Sequence, residues 1–345
     1  MTTKIEEFRS LFEEAILDIA AKTDPKKRCL ILSGGVDTCA ILAAARNVGV
    51  TFEAGFTVSC VSTSPDHEFA AAAAKEHDLE HHILHITPDE LVSNHLPDCV
   101  RELNTFDGMT LRNSLVVSAV FKKASEMGFT DAVVGDAADE LFGGYSFMWG
   151  NEDNPAEWKK KRDSMCRQWT FATVALAKFH NLTAHSPYMD PKVVEWALDS
   201  VERSDCIGIR PIQLYHGSEQ MDHITGKILL REAYETVSSW RRKDPIEVGS
   251  GVTIIGKDEF WKSTIADDDF QAEAKALQAR GFNIKTKEYL VNFRIFEECF
   301  GLNGHKLPTA KRLEIGQGCA GCCFDIGAET FCRICGTYPA QRIAA

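Results

Sequence analysis

Two short stretches of this 345-residue chain carry residue types suited to chemistry on a phosphate. The first is Ser33-Gly34-Gly35-Val36-Asp37-Thr38, reached straight from the apolar run Leu30–Leu32 and followed by an alanine-rich segment, Cys39 to Arg46. Glycines let a backbone turn tightly and approach a ligand, and a helix start aims unpaired N–H groups and a positive dipole end at it. The loop lacks the spacing and the lysine of the common GxxxxGK(S/T) phosphate loop. It suits a grip on pyrophosphate that leaves the α-phosphate open to attack; a ligand-free strand–helix turn is the alternative. The second stretch is Val134–Tyr145, with Asp136, Asp139 and Glu140 at the end of an apolar run. Three carboxylates so placed are costly unless they meet a cation or a proton-transfer task.

A third group is made of thiols. Of twelve cysteines, five crowd into the last stretch: Cys319, Cys322, Cys323, Cys332 and Cys335. Two Cys-x-x-Cys pairs can complete a tetrahedral four-sulfur site, and in a reducing compartment such a cluster reads as metal ligation before disulfides. Zinc is the expected ion; an iron–sulfur cluster, redox thiols and unliganded thiols stay open. Cys323 is left over, a spare ligand or a reactive thiol.

The elements that must position these groups follow from periodicity. Ile5, Phe8, Leu11, Phe12, Ile16 and Ile19 mark an amphipathic opening helix. Strands are expected at Cys29–Leu32, Thr51–Cys60, His82–Ile86 and Ala132–Gly135, with helices at 67–78, from Pro88, and at 111–127. Such alternation implies a parallel sheet covered on both faces, with ligands at the carboxyl ends of its strands. From about Asn151 to Ala310 the pattern turns helical without further strands, with helices expected at Trp158–Phe179, Lys192–Asp199, Thr225–Ser238 and Asp268–Ala279. Loops or boundaries are expected at Gly249–Gly251 and Gly316–Gly321. A net charge of −12 argues against a nucleic-acid-coating surface. No apolar run of about 18 residues occurs and the start carries no apolar leader, so neither a membrane nor export is expected, and the cytoplasm is the expected compartment.

Taken together, the two phosphate-type motifs resemble the synthetase domain of the asparagine synthetase family, which belongs to the N-type ATP pyrophosphatases. The family carries Ser-Gly-Gly-x-Asp-(Ser/Thr) and Gly-Glu-Gly-(Ala/Ser)-Asp-Glu-(Leu/Val)-Phe-Gly-Gly-Tyr. Fainter echoes are Phe56-Thr57-Val58, Ser186–Asp190, Gly226–Ala233 and Trp240-Arg241-Arg242-Lys243. The resemblance runs from about residue 28 to 250. It implies an α/β fold of the adenine nucleotide α-hydrolase type, a parallel sheet with helices on both faces, followed by a mostly helical part and a small Cys-rich tail. The domain plan it suggests is an N-terminal helix (1–27), the ATP pyrophosphatase domain (28–250), a helical extension (251–315) and a metal-binding tail (316–345).

By this resemblance a substrate carboxylate attacks the α-phosphate of ATP, and a nitrogen nucleophile then displaces AMP. Ser33, Gly34, Gly35 and Thr38 would cradle pyrophosphate; Asp37 and Asp139 would hold Mg²⁺, with a helix N-cap as the other reading of Asp37. Leu32, Val58 and Gly135 would line the nucleotide pocket. Lys243 would neutralise developing phosphate charge, whereas Lys227 is expected to be structural. Asp136 stands where the family has Glu, one methylene shorter.

The pattern departs from the family twice. Glutamine-using members begin with a catalytic Cys after Met, where this chain has Thr2, so free ammonia, a separate glutaminase or an amine is the expected nitrogen source. The stretch Trp169 to His185, with Thr183 and His185 in place of charged residues, offers no paired charges for aspartate; another small carboxylic acid is expected. The expected activity is an AMP-forming carbon–nitrogen ligase. The alternative is a nucleobase- or tRNA-modifying ATP pyrophosphatase that uses the cysteine site. A homo-oligomer stays open.

Overall fold

Strand β1 (Arg28–Ile31) lies at the centre of a five-stranded sheet with β2 (Ala54–Ser59), β3 (His81–His85), β4 (Asp131–Val133) and β5 (Thr183–His185). The order is β3-β2-β1-β4-β5 and every pairing is parallel. All six residues of β2 are buried. Successive side chains point to opposite faces, so unbroken burial means that both faces are covered. The chain builds outward from β1 through β2 to β3, then returns to place β4 on the other side. The loops after β1 and β4 therefore flank the point where the strand order reverses, the usual ligand crevice of such sheets. The computed structural model describes residues 3–62, 64–150 and 154–341; Thr2 and Asn151 lie outside them.

The sheet belongs to one compact unit, Met1–His85 with Val120–Ser250; Ile86–Ala119 with Gly251–Ala345 form a second. In the first, helix Lys4–Lys22 is started by a capping box between Thr3 and Glu6. It buries Phe8 and Phe12 completely, with ring centroids 5.2 Å from Phe142 and 4.5 Å from Tyr188 respectively. Helices Val36–Asn47 and Pro65–Glu76 cross from β1 to β2 and from β2 to β3. In the second unit, helices Pro88–Leu103 and Lys287–Phe300 pack together, and the Phe106 ring lies 5.3 Å from Phe293 and 5.1 Å from Phe296. Among the described residues no helix is long and apolar enough to cross a membrane.

The strictly helical pattern expected after Asn151 is corrected in four places. β5 is present but only three residues long and half-buried, too short to show a period. An antiparallel hairpin, β6 (Gly208–Gln213) with β7 (Gln220–Thr225), buries only Ile212 and Thr225, so it leaves no apolar stripe. The helix expected at Trp158–Phe179 is two, Pro155–Gln168 and Ala172–Phe179, because Trp169 and Phe171 are extended. Of Thr225–Ser238, only Ile228–Ala233 is helical: Thr225 ends β7 and Lys227 has a left-handed backbone. Helix Lys287–Phe300 was not anticipated.

One buried cation ties two helices of the first unit together. Arg162, fully buried on Pro155–Gln168, donates from Nη1 to the carbonyls of Ala197 (2.9 Å) and Val201 (2.7 Å) and from Nη2 to that of Leu198 (2.8 Å). These oxygens close helix Pro191–Ser200, where carbonyls lack intrahelical partners and a positive charge is favoured. Replacing Arg162 by Met strands all three. The expected loss is about 3 kcal/mol of unfolding free energy in urea titrations; a loss below about 1 kcal/mol would refute this role.

Candidate active site

The Leu32 N–H continues β1 by donating to the Phe56 carbonyl at 2.8 Å, and the chain then turns through the glycine loop. Gly34 has φ +67° and presses on helix Pro65–Glu76; a Cβ there would lie 2.4 Å from the Ala70 nitrogen. Ser33 Oγ accepts from the Gly35 N–H at 3.2 Å and lies 3.3 Å from Thr38 Oγ1. Gly35 is the N-cap of helix Val36–Asn47 and supplies no side-chain cap, so first-turn amides face outward unspent. Asp37 is thus not the cap. Both its carboxylate oxygens accept from Lys227 Nζ, at 2.7 Å each.

The loop after β4 meets this one closely. A Cβ on Gly135 would stand 2.9 Å from Asp37 Cβ, so only glycine permits the approach. Asp139, on the short helix Ala138–Leu141, lies with Oδ1 2.6 Å from Lys227 Nζ and with Oδ2 accepting from Lys243 Nζ at 2.7 Å. Two carboxylates and two ammonium groups therefore interleave. Burial alone would raise the Asp139 pKa, but Lys227 and Lys243 outweigh it and hold that carboxyl well below the usual range. Burial likewise opposes the charge on Lys243, yet Asp139 and Asp37 keep its ammonium above the ordinary lysine value.

Asp136 sits in the opposite environment. Its Oδ2 accepts from Thr173 Oγ1 and its carbonyl from Ser186 Oγ at 2.7 Å. Burial raises its pKa to about 6; the Thr173 hydroxyl opposes the rise, and Glu140, Asp139 and Asp37 add to it. Glu140, also raised by burial, accepts from Tyr145 Oη at 2.7 Å.

The segment that carries Lys243 is locked to the glycine loop. Arg241, 4% exposed, donates from Nη2 to Asp66 Oδ1 at 2.5 Å and from Nη1 to the Ser33 carbonyl at 3.4 Å. Its guanidinium lies 4.7 Å from the Phe69 ring centroid. Ser238 Oγ donates to the Gly34 carbonyl at 2.7 Å. With both loop carbonyls engaged, the loop amides keep one orientation.

The glycine loop, Gly135, Asp139 and Lys243 are therefore brought together. Leu32 is fully buried, with its carbonyl accepting from Thr57 Oγ1 at 2.5 Å, and Val58 is buried on β2. His185 pairs with Asp131 at 2.8 Å. In the second unit Cys319, Cys322, Cys332 and Cys335 are buried with sulfurs all within 4.8 Å of one another, while Cys323 donates instead to the Gly281 carbonyl (3.5 Å). Sequence reasoning set Lys227 aside and gave Arg241 and Thr173 no role. A lysine straight after a glycine at a strand–helix junction was the available signal for Lys227; Arg241 was hidden in a basic run.

The raised pKa of Asp136 has a thermodynamic sign. Between the unfolded value near 3.8 and about 6, the folded protein holds the proton the unfolded chain has lost, so this residue's contribution to stability falls as pH rises through that window. Asp136→Asn is expected to be more stable than the parent by about 2 kcal/mol at pH 7 to 8, with the gap closing near pH 3.5. Urea titrations across that range check it, and a pH-independent gap would contradict it.

Residues 7–175 match the profile of the asparagine synthase family. A probable glutamine-hydrolysing asparagine synthetase of Dictyostelium discoideum is 25% identical over 229 residues, 60% of this chain and 38% of the relative. Glutamine-hydrolysing asparagine synthetase B of Escherichia coli is 26% identical over 296 residues, 79% of this chain and 50% of the relative. The chain thus spans half or less of the length of these relatives. Among solved structures, an NMN synthetase from Francisella tularensis is similar at 12% identity and a TM-score of 0.33, covering 52% of this chain and 94% of that one. An NH3-dependent NAD synthetase from Campylobacter jejuni is similar at 12% identity and 0.31, covering 57% and 92%. Residues 7–175, which hold the glycine loop and the carboxylate stretch of the cluster above, are thus similar to the asparagine synthase family.

Proposed function

We propose that the chain is an ATP-dependent carbon–nitrogen ligase, forming AMP and pyrophosphate, that adenylates a small carboxylic acid for attack by ammonia or an amine. The observation that carries this reading is the convergence of the uncapped first-turn amides at Val36–Thr38 with the Asp37–Lys227–Asp139–Lys243 cluster at the sheet's switch point. Ser33, Gly34, Gly35 and Thr38 bind the pyrophosphate end of ATP, with Leu32, Val58 and Gly135 beside the nucleoside.

Asp37 and Asp139 fit Mg²⁺: their hard oxygens converge on one point, now held by the Lys227 ammonium, and Mg²⁺ takes one or two carboxylates plus phosphate oxygens. When bound, the ion neutralises phosphate charge. The substrate carboxylate attacks the α-phosphorus, the bond to the bridging oxygen breaks, and pyrophosphate leaves. Lys243 stabilises the charge that develops there, a fixed cation needing no reorganisation. The nitrogen nucleophile then attacks the acyl carbon, Asp136 takes up its proton, and AMP departs as the amide forms. Ammonia reaches the site from solution or from a separate glutaminase.

The test is ATP–pyrophosphate exchange with Mg²⁺ across a panel of carboxylic acids that includes aspartate. One acid, or a narrow class, should drive exchange. Asp37→Asn should lower it at least about 10³-fold with the circular dichroism spectrum unchanged, and Lys243→Met should lower kcat about 10²- to 10³-fold. Silence across the whole panel, or full exchange in Asp37→Asn, would overturn the reading.

A further inference from the structure

The segment 311–341 of the second unit carries no helix or regular strand among its described residues, only an isolated bridge between Arg312 and Phe324. It nevertheless buries four thiols turned toward one another. Cys319 and Cys335 have sulfurs 3.6 Å apart, as do Cys322 and Cys332, and no pair exceeds 4.8 Å. A tetrahedral ion with metal–sulfur bonds of about 2.3 Å spaces its sulfurs about 3.8 Å apart. An iron–sulfur cluster sets its own irons and sulfides between the cysteines, which spreads the thiolates beyond this range. The spacing selects one ion.

Both halves of the group share one backbone turn. The Cys319 carbonyl accepts from the Cys323 N–H at 2.9 Å, and the Cys332 carbonyl accepts from the Gly336 N–H at 2.8 Å, four residues on in each case. The Gly321 N–H donates to Cys319 Sγ at 3.3 Å. Each turn is fastened to a different part of the unit. The Gly321 carbonyl accepts from the Asn283 N–H at 2.8 Å, just beyond helix Asp267–Ala279. The Ile334 carbonyl accepts from the Phe106 N–H at 2.8 Å and from Thr105 Oγ1 at 3.1 Å, just before helix Gly108–Glu126. The four sulfurs thus stand where three pieces of chain, distant in sequence, meet.

We propose that Cys319, Cys322, Cys332 and Cys335 bind one zinc ion in a closed tetrathiolate site, and that this ion folds the second unit. Four soft thiolates at tetrahedral spacing favour zinc, and a site with no open position is structural, not catalytic. A preformed site does not survive in an unfolded chain, so the binding free energy is folding free energy. Cys323, with its thiol on the Gly281 carbonyl, is excluded from the set. This inference does not rest on the ligase reading.

The experiment uses the full chain purified without chelator. Elemental analysis should give one zinc per chain, and exchange into Co²⁺ should give the intense sulfur-to-cobalt and d–d absorption of a tetrahedral thiolate site. Zinc is then withdrawn by titrating the thiols with a mercurial in the presence of a chelator, followed by thiol reductant. Hydrogen exchange read by mass spectrometry should show protection lost in 86–119 and 251–341, kept in 28–59 and 131–185, and restored by Zn²⁺ but not Mg²⁺. Cys323→Ser should keep one zinc per chain, whereas Cys332→Ser should lose it or fail to fold. Iron with acid-labile sulfide, no bound metal, loss of zinc in Cys323→Ser, or unchanged protection after zinc removal would each overturn the proposal.

Discussion

Two aspartates cannot lie side by side at the end of a buried sheet unless their charge is met, and the first unit is arranged around that constraint. Asp37 and Asp139 come from different loops, and Lys227 answers both from a fully buried position. A desolvated carboxylate left unpaired costs several kcal/mol, far more than a surface ion pair returns. Lys227 reaches them from a left-handed backbone at φ +62°, a conformation that disfavours non-glycine residues by about 1–2 kcal/mol. That strain persists because removing the residue would leave Asp37 without its cation and Asp139 with one of its two. Lys243 then completes the compensation from the other side of Asp139.

The same economy orients the phosphate loop. A glycine-rich turn is free to flip its peptide planes, which would exchange outward N–H groups for carbonyl oxygens and repel an anion. Here Arg241 and Ser238 hold the Ser33 and Gly34 carbonyls. Arg241 can be buried because Asp66 pairs with it and Phe69 accepts its face. The segment that fixes the loop is also the one that delivers Lys243, so the anion-facing amides and the cation are set by one piece of chain.

The parallel sheet was legible because its strands are apolar runs bounded by turn residues and separated by helices. The glycine loop and the carboxylate stretch were legible because few other structures call for those residue types in that order. β5 and the β6–β7 hairpin were not: a three-residue strand and two strands with one buried residue each carry no period that burial would impose. Trp158–Phe179 has good helical composition throughout, and only tertiary structure tells that it breaks at Trp169–Phe171. The cation network was half-legible. Lys243 stood in a recognisable motif, whereas the importance of Lys227 and Arg241 depends on partners about 100 to 200 residues away, beyond any local pattern.

The hairpin bears on how firmly that network is held. Gln213, the last residue of β6, donates its N–H to the Trp240 carbonyl at 2.7 Å and accepts from the Arg242 N–H at 2.9 Å. The main chain next to Lys243 is therefore paired to a ribbon with Ile209 and Met221 largely in solvent. Two-stranded ribbons have little free energy of their own to resist local opening, and such openings precede global unfolding by many orders of magnitude in frequency. Lys227 follows β7 by two residues and Lys243 lies next to the segment paired with β6, so both cations adjoin the ribbon, while the carboxylates follow strands of the parallel sheet. Thermal fluctuation thus falls unequally on the cluster, bearing on its ammonium groups more than on its carboxylates.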